Sequence, residues 1–269
     1  MTLALEGIDV SGTDDGAIDW DVYRQSGRRF AFARANYKLT RDVDFAAFWP
    51  AMRAAGLVRG AYLFWDPIRD PVEMADAVWA TVTAAGGIGP GDFPICVDVE
   101  SKHGLEGSGV PPMIAIDKLS ATVDRLEAHM GVPPMIYTSR RVWREDLKDL
   151  PAPALARCPL WAVRWSNAEP ECPPVWGPGN WWLHQYAGDT VGVPGVARKA
   201  DLDRFHAVEQ GADGPLVAFL QSRLGVGVTG VFDVATSEAV REVQETNGLV
   251  VDGKVGPITW SYVAWLRGP

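Results

Sequence analysis

At 269 residues, with hydrophobic residues at 47% and charged residues at 22%, the chain has the make-up of a globular protein with room for one large domain and one small one. A formal net charge of −9, with no lysine- or arginine-rich cluster, excludes a dense polyanion such as nucleic acid as the expected partner. No stretch approaches the roughly 18 consecutive apolar residues that a membrane span needs, so no membrane partner is expected either.

The opening segment, MTLALEGIDVSG, has neither a basic nor an apolar leader region and predicts synthesis in the cytoplasm without an export signal. Short apolar runs rich in β-branched and aromatic residues then follow as predicted strands: Ile8–Val10, Phe30–Ala35, Gly60–Trp65, Pro94–Val99, Met135–Thr138, Leu160–Trp165 and Trp181–Tyr186. Between them, Phe45, Phe48, Trp49 and Met52 keep helical spacing, as do Met74, Val78 and Val82, and then Ile116, Leu119, Val123, Leu126 and Met130. Apolar strands alternating with amphipathic helices predict a mostly parallel sheet covered by helices, and the number of repeats favours a closed barrel over an open, doubly wound sheet. From Pro151 to Gly192 strand-like runs continue without long helices, so the barrel is expected to be irregular there. Cys96, Cys158 and Cys172 show no CxxC spacing and are expected as reduced thiols, with a Cys158–Cys172 bridge as the alternative because both lie in proline-rich sequence.

The polar stretch Glu209–Pro215, EQGADGP, reads as a linker between a domain over 1–208 and a second over 216–269. Beyond it the sequence is duplicated at an offset of 23 residues: Gln221 falls on Gln244, Gly225 on Gly248, Gly230 on Gly253 and Thr236 on Thr259. Matching glycines imply matching turns, and each threonine is predicted as the N-cap of a helix. At about 55 residues this all-α module is near the lower limit for independent folding, so docking on the larger domain is expected. The predicted class is therefore α/β, an irregular (β/α) barrel followed by a small all-α domain.

The most informative feature is Ile95-Cys96-Val97-Asp98-Val99-Glu100. Strand alternation puts Asp98 and Glu100 on one face, with Cα atoms roughly 6 to 7 Å apart, and Val97 and Val99 on the other. A carboxylate pair at the C-terminal end of a barrel strand is the equipment of glycoside hydrolysis; the bland alternative is the solvated end of a strand. That alternative loses ground because Asp9 ends another apolar strand and the run Ala200-Asp201-Leu202-Asp203 supplies further acids. Trp65 and Trp165, last in their apolar runs, are candidate sugar-facing aromatics, while most other tryptophans are expected in the core. No HExxH, no cysteine–histidine ligand spacing and no GxSxG elbow occur, so neither a metal nor a cofactor nor a nucleophilic serine or cysteine is expected.

GIDVSG, GAYLFWDP, ICVDVE, MIYTSRRVW, LWAVRW, HQYAGD and ADLDRF, in this order over residues 4 to 206, resemble the glycoside hydrolase family 25 (Chalaropsis-type) lysozymes. The resemblance implies an irregular (β/α) barrel that hydrolyses the β-1,4 bond between N-acetylmuramic acid and N-acetylglucosamine. It implies Glu100 as general acid, with Asp98, Asp9 and Asp201 as the other catalytic carboxylates. Within the same segments Tyr62, Trp65, Tyr137, Trp165, Gln185 and Tyr186 are the implied substrate-contacting residues. The chain departs from the family where Leu63 stands for a common histidine, His184 for a common tryptophan, and Asn36-Tyr37-Lys38 for the usual acidic residue. LQSRLGV, TGVFDVAT and VDGKVGPITW resemble the small peptidoglycan-binding domain of cell-wall hydrolases, and the combination resembles a phage endolysin; a bacterial autolysin would look the same. The expected partner is bacterial peptidoglycan and the expected state a monomer. A metal-dependent polysaccharide deacetylase using Asp9, Asp98 and a histidine, and a non-catalytic wall-binding protein, are the rival expectations.

Overall fold

The structure, a computed structural model, describes residues 3–12 and 17–266. Its sheet contains β1 (Glu6–Val10), β2 (Phe30–Tyr37), β3 (Thr40–Arg41), β4 (Val58–Phe64), β5 (Cys96–Asp98), β6 (Met135–Thr138), β7 (Leu160–Val163), β8 (Leu183–Val191) and β9 (Lys199–Phe205). The strands run in the order β1-β9-β8-β7-β6-β5-β4-β2, and β1 pairs with β2 to close the barrel, while β3 forms only a hairpin on β2. All pairings around the ring are parallel except those of β9, which is antiparallel to both β1 and β8. The irregularity expected near the end of the barrel is this reversed strand. β9 did not read as an apolar strand because Asp201 and Asp203 occupy its inward positions.

Helices α1 (Trp20–Gln25), α2 (Phe45–Ala54), α3 (Pro71–Ala84), α4 (Pro112–Met130) and α5 (Arg140–Glu145) form the outer layer. Their starts follow from local chemistry: Asp70 accepts from the backbone N–H groups of Val72 and Glu73 just ahead of Pro71, and Ser139 accepts from that of Val142. Met74, Val78 and Val82 of α3, and Ile116, Leu119, Val123 and Leu126 of α4, are buried as their spacing predicts.

Alternation along the strands fills the barrel with aromatic rings. Phe32 stacks on Phe93 at 5.3 Å, Phe93 on Phe205 at 5.8 Å, and Trp161 lies 4.5 Å from Phe32. Two glycines make room for this plug: a Cβ on Gly7 would come within 2.1 Å of Phe30, and one on Gly60 within 2.1 Å of Phe32. The rings form a floor, above which the inward positions turn polar.

The C-terminal module comprises α6 (Pro215–Leu224), α7 (Val234–Thr246) and α8 (Pro257–Val263). The duplication survives as a duplicated hydrogen-bond centre. Buried Gln221 donates to Thr236 Oγ1 at 2.9 Å and accepts from Gly230 N at 2.8 Å; buried Gln244 donates to Thr259 Oγ1 at 3.2 Å and accepts from Gly253 N at 2.9 Å. The threonines therefore sit three residues inside their helices rather than at the N-caps, which are Asp233 and Gly256. Their hydroxyls accept from the glutamines and donate to Asp233 Oδ1 and to the Lys254 carbonyl.

The module packs against the end of the barrel where the parallel strands begin. Phe30, Val58, Leu183 and Phe205 form one apolar cluster with Leu216, Val217, Leu220, Trp260 and Val263. Trp182 and Trp260 lie 4.2 Å apart, Trp265 Nε1 donates to the Asp92 carbonyl at 2.8 Å, and Gly91 N donates to the Ser261 carbonyl at 3.0 Å. The Glu209–Pro215 stretch is itself held to the module: Gly211 N and Gly214 N donate to the carbonyls of Phe232 and Gly230 at 3.0 and 2.9 Å. The three cysteines are free thiols, Cys96 and Cys158 buried and Cys172 half-buried.

Candidate active site

The polar end of the barrel holds a cavity of about 190 Å³ lined by Asp9, Ser11, Arg34, Tyr62, Phe64, Asp98, Glu100, Tyr137, Trp161, Gln185 and Asp201. All four acids singled out from the sequence meet there. Asp98 is the last residue of β5, opposite Tyr137 on β6 and Phe64 on β4. Glu100 follows two residues later on extended backbone, and the chain then turns sharply at His103, where φ is 66°. Val97 and Val99 point the other way into the layer beneath the helices. Asp9 and Asp201 face each other across the β1–β9 pair.

Gln185 ties the group together. Its Oε1 accepts from Tyr137 Oη and Trp165 Nε1, both at 2.9 Å, and its Nε2 donates to Asp9 Oδ2 at 2.8 Å and Asp201 Oδ2 at 3.2 Å. Two donors on one side fix which way the amide points, and hence that both carboxylates face N–H groups. Asp201 also accepts from the Asp189 backbone N–H at 2.7 Å. Arg34 brings positive charge to the lining and is steadied by Asp42 at 2.8 Å.

Burial and mutual repulsion shape the protonation of the pair. Glu100 is pushed up to about 7, first by burial and then by the charge of Asp201, with Lys102 pulling the other way. Asp98 is raised well above the carboxylate range by burial and by Glu100 and Asp9, against the opposing pull of Arg34. Burial therefore works against an anionic Asp98. The pair thus keeps a transferable proton near neutral pH, as a general acid requires. Tyr137, surrounded by the same acids, is raised well above its ordinary value by burial and stays a neutral donor.

Two of the implied substrate-contacting residues lie elsewhere. Trp65 is buried in the layer between barrel and helices, where its Nε1 donates to Thr122 at 3.1 Å, because it follows the last residue of β4 on the outward side. Tyr186 alternates with inward-facing Gln185 and so packs outside the barrel, against His184 and the Arg204 guanidinium. Gln185 lines the cavity, but its amide is engaged within the protein. Trp165 is 65% exposed at the rim, seated over Gly188, where a Cβ would meet the indole at 2.4 Å. Tyr62 and Tyr137 reach the cavity wall.

Strand alternation signalled other residues that went unused. Arg34 continues the inward series Phe30, Phe32, and Asp203 that of Asp201. Asp203 is fully buried one step below Asp201, accepts from Trp161 Nε1 at 2.8 Å, and is pushed well up by burial and by the charges of Asp9 and Asp201. Leu63, where a histidine is common, is buried in the outer core. His184 is held on its Nδ1 by Arg204 and on its Nε2 by the Arg164 carbonyl, and burial lowers it to about 4, which makes it a neutral structural side chain. No histidine lines the cavity, and among the described residues no three His, Cys, Asp or Glu side chains are grouped to hold a metal ion. Among them, too, no helix is long and apolar enough to cross a membrane.

Comparison with known proteins agrees with this fold. Residues 214–262 match the putative peptidoglycan binding domain. The autolytic lysozyme of Clostridium acetobutylicum is 24% identical over 275 residues, covering 95% of this chain and 77% of that protein. The N,O-diacetylmuramidase of Arthroderma benhamiae is 25% identical over 186 residues, 68% of this chain and 75% of that protein. The crystal structure of a bacterial lysozyme from Streptomyces coelicolor superimposes with a TM-score of 0.65 at 26% identity, over 75% of this chain and 92% of that one. Residues 8–196 match the model of glycosyl hydrolases family 25, and the chain belongs to that family.

Proposed function

We propose that the chain is a muramidase that hydrolyses the β-1,4 bond between N-acetylmuramic acid and N-acetylglucosamine in bacterial peptidoglycan. Residues 1–208 perform the cleavage, and the module over 216–269 holds the enzyme to the wall. The observation that carries this reading is the Asp98–Glu100 pair at the mouth of a closed barrel, one member raised to about 7, beneath an exposed indole. Glu100 gives its proton to the leaving glycosidic oxygen. Asp98, deeper in the cavity and with Oδ1 buried and without a protein partner, orients the substrate's N-acetyl group and, once ionised, stabilises the positive charge that develops on the sugar. Asp9 and Asp201, coupled through Gln185, hold the negative field behind this centre, and Trp165 offers a flat face to a sugar ring.

The test is digestion of purified cell walls. The expected products carry new reducing ends at N-acetylmuramic acid and no free acetate, and their release survives EDTA. Glu100→Gln lowers kcat by at least about a hundredfold, the lower range of general-acid contributions, and activated aryl glycosides rescue it more than they rescue Asp98→Asn. Release of acetate in place of reducing ends, or a requirement for added zinc, would overturn the proposal in favour of a deacetylase.

A further inference from the structure

Asp203 has no place in the reaction as described, yet it lies directly behind it. Its side chain is fully buried, at the level where the aromatic floor gives way to the acids. Oδ1 accepts from Trp161 Nε1 at 2.8 Å. Oδ2 is also buried, and no N–H or hydroxyl reaches it. Asp203 stands diagonally across the β1–β9 pair from Asp9, and the two carboxyl groups are within hydrogen-bonding reach of each other. Two carboxylate oxygens are both acceptors, so this contact is attractive only with a proton between them. That proton cannot be assigned to Asp9 as readily as to Asp203: Asp9 Oδ2 already receives the Gln185 amide, whose direction Tyr137 and Trp165 fix, whereas Asp203 is the more deeply buried of the two. A further anion here would also stand beside Asp9 and Asp201 without a cation of its own.

We propose that Asp203 is a carboxylic acid in the working enzyme, a positioning residue whose Oδ2–H donates to Asp9 and keeps that carboxylate anionic and aimed at the cavity. Trp161 sets the orientation by occupying the other oxygen, so that only Oδ2 is left to carry the proton. The indole itself is locked by Phe32 below and Tyr137 beside it, at 4.5 and 5.0 Å. Two donor chains then converge on Asp9, one from Trp161 through Asp203 and the other from Tyr137 and Trp165 through Gln185.

The proposal rests on the muramidase reading for its kinetic arm but not for its spectroscopic one. Asp203→Asn keeps the shape, the acceptor for Trp161 and a donor for Asp9; Asp203→Leu keeps the volume and removes both. Expected is a ratio of kcat on cell walls, Asn over Leu variant, of about tenfold or more, since leucine strands two buried polar groups. Independently, an infrared difference spectrum at neutral pH, wild type minus Asp203→Asn, contains a carboxylic-acid carbonyl band that shifts on deuteration. If that band is missing and a carboxylate band takes its place, Asp203 is an anion and the proposal falls. It falls equally if the Asn variant is as impaired as the Leu variant, or if the Leu variant turns over like wild type. Should the Leu variant fail to fold, the infrared band decides. Wild-type protein that releases no reducing ends would sink the muramidase reading while leaving the spectroscopic result intact.

Discussion

Replacing Glu100 by glutamine is expected to lower turnover at least about a hundredfold and, above a definable pH, to make the protein more stable. An unfolded glutamate titrates near 4.5, whereas folded Glu100 titrates near 7. Below about 4.5 both states hold the proton and the residue has no effect on the folding equilibrium. As the pH rises, the unfolded chain releases its proton first and the folded state becomes progressively disfavoured, the full cost being reached above about 7. A gap of roughly 2.5 pH units corresponds to about 3 kcal/mol, trimmed to about 2–3 because solvent reaches part of the side chain. Glutamine cannot ionise and so escapes this cost; it also spares Asp98 a charged neighbour, which acts in the same direction. For a protein of this size the melting temperature should rise by about 4–12 °C at pH 8 and by almost nothing at pH 4.5. Calorimetric melting of both proteins at the two pH values, beside the wall-lysis assay, measures this. An equal difference at both pH values, or a Gln variant less stable at pH 8, would refute the claim that the site stores an unfavourable ionisation for catalysis.

Three further perturbations are informative. Trp165→Ala removes an exposed ring and should change stability by less than about 1 kcal/mol while raising KM on cell walls several-fold; an unchanged KM would take the indole out of substrate binding. Gln185→Leu withdraws one N–H from each of Asp9 and Asp201 and is expected to lower kcat at least about tenfold; undiminished kcat would show that the amide link is incidental. Trp260→Ala opens the seam between module and barrel and should cost about 3–5 kcal/mol in one shared melting transition; two separated transitions would show that the halves fold independently.

What the sequence disclosed followed from periodicity. Period-two alternation placed Asp98 and Glu100 on one face and Val97 and Val99 on the other, and the helical spacing in α3 and α4 named their buried faces. The same rule, carried further, would have found Arg34 and Asp203, since each extends an inward series already begun. It would also have placed Trp65, which continues the outward series Ala61 and Leu63 while Tyr62 and Phe64 face the cavity; its position at the end of an apolar run was the wrong signal. Gln185 and Tyr186 are neighbours in one motif yet face opposite sides of the sheet, a distinction a motif does not encode. The hydrogen bonds of Gln185 join residues 9, 137, 165, 185 and 201, and no local pattern reports contacts over such separations. The duplicated glycines pointed to matching turns; that a buried glutamine would draw each threonine into the helix interior was beyond them.

By its EQGADGP linker alone the C-terminal module would look transplantable, a unit to be cut there and spliced to another hydrolase, although its small size already predicts docking. In the fold it is not transplantable. Its inner face is the continuation of the aromatic column that begins inside the barrel, and the apparent hinge is stitched to it by backbone hydrogen bonds. A protease that relies on slack chain between domains would find little purchase at this junction. Moved to a new host, the module would bring a bare Trp260 and Val263 in search of a cover, and the barrel left behind would expose Trp182 and Phe205. Joining either half to a new partner would therefore require refitting of both surfaces, first of all where Trp182 meets Trp260.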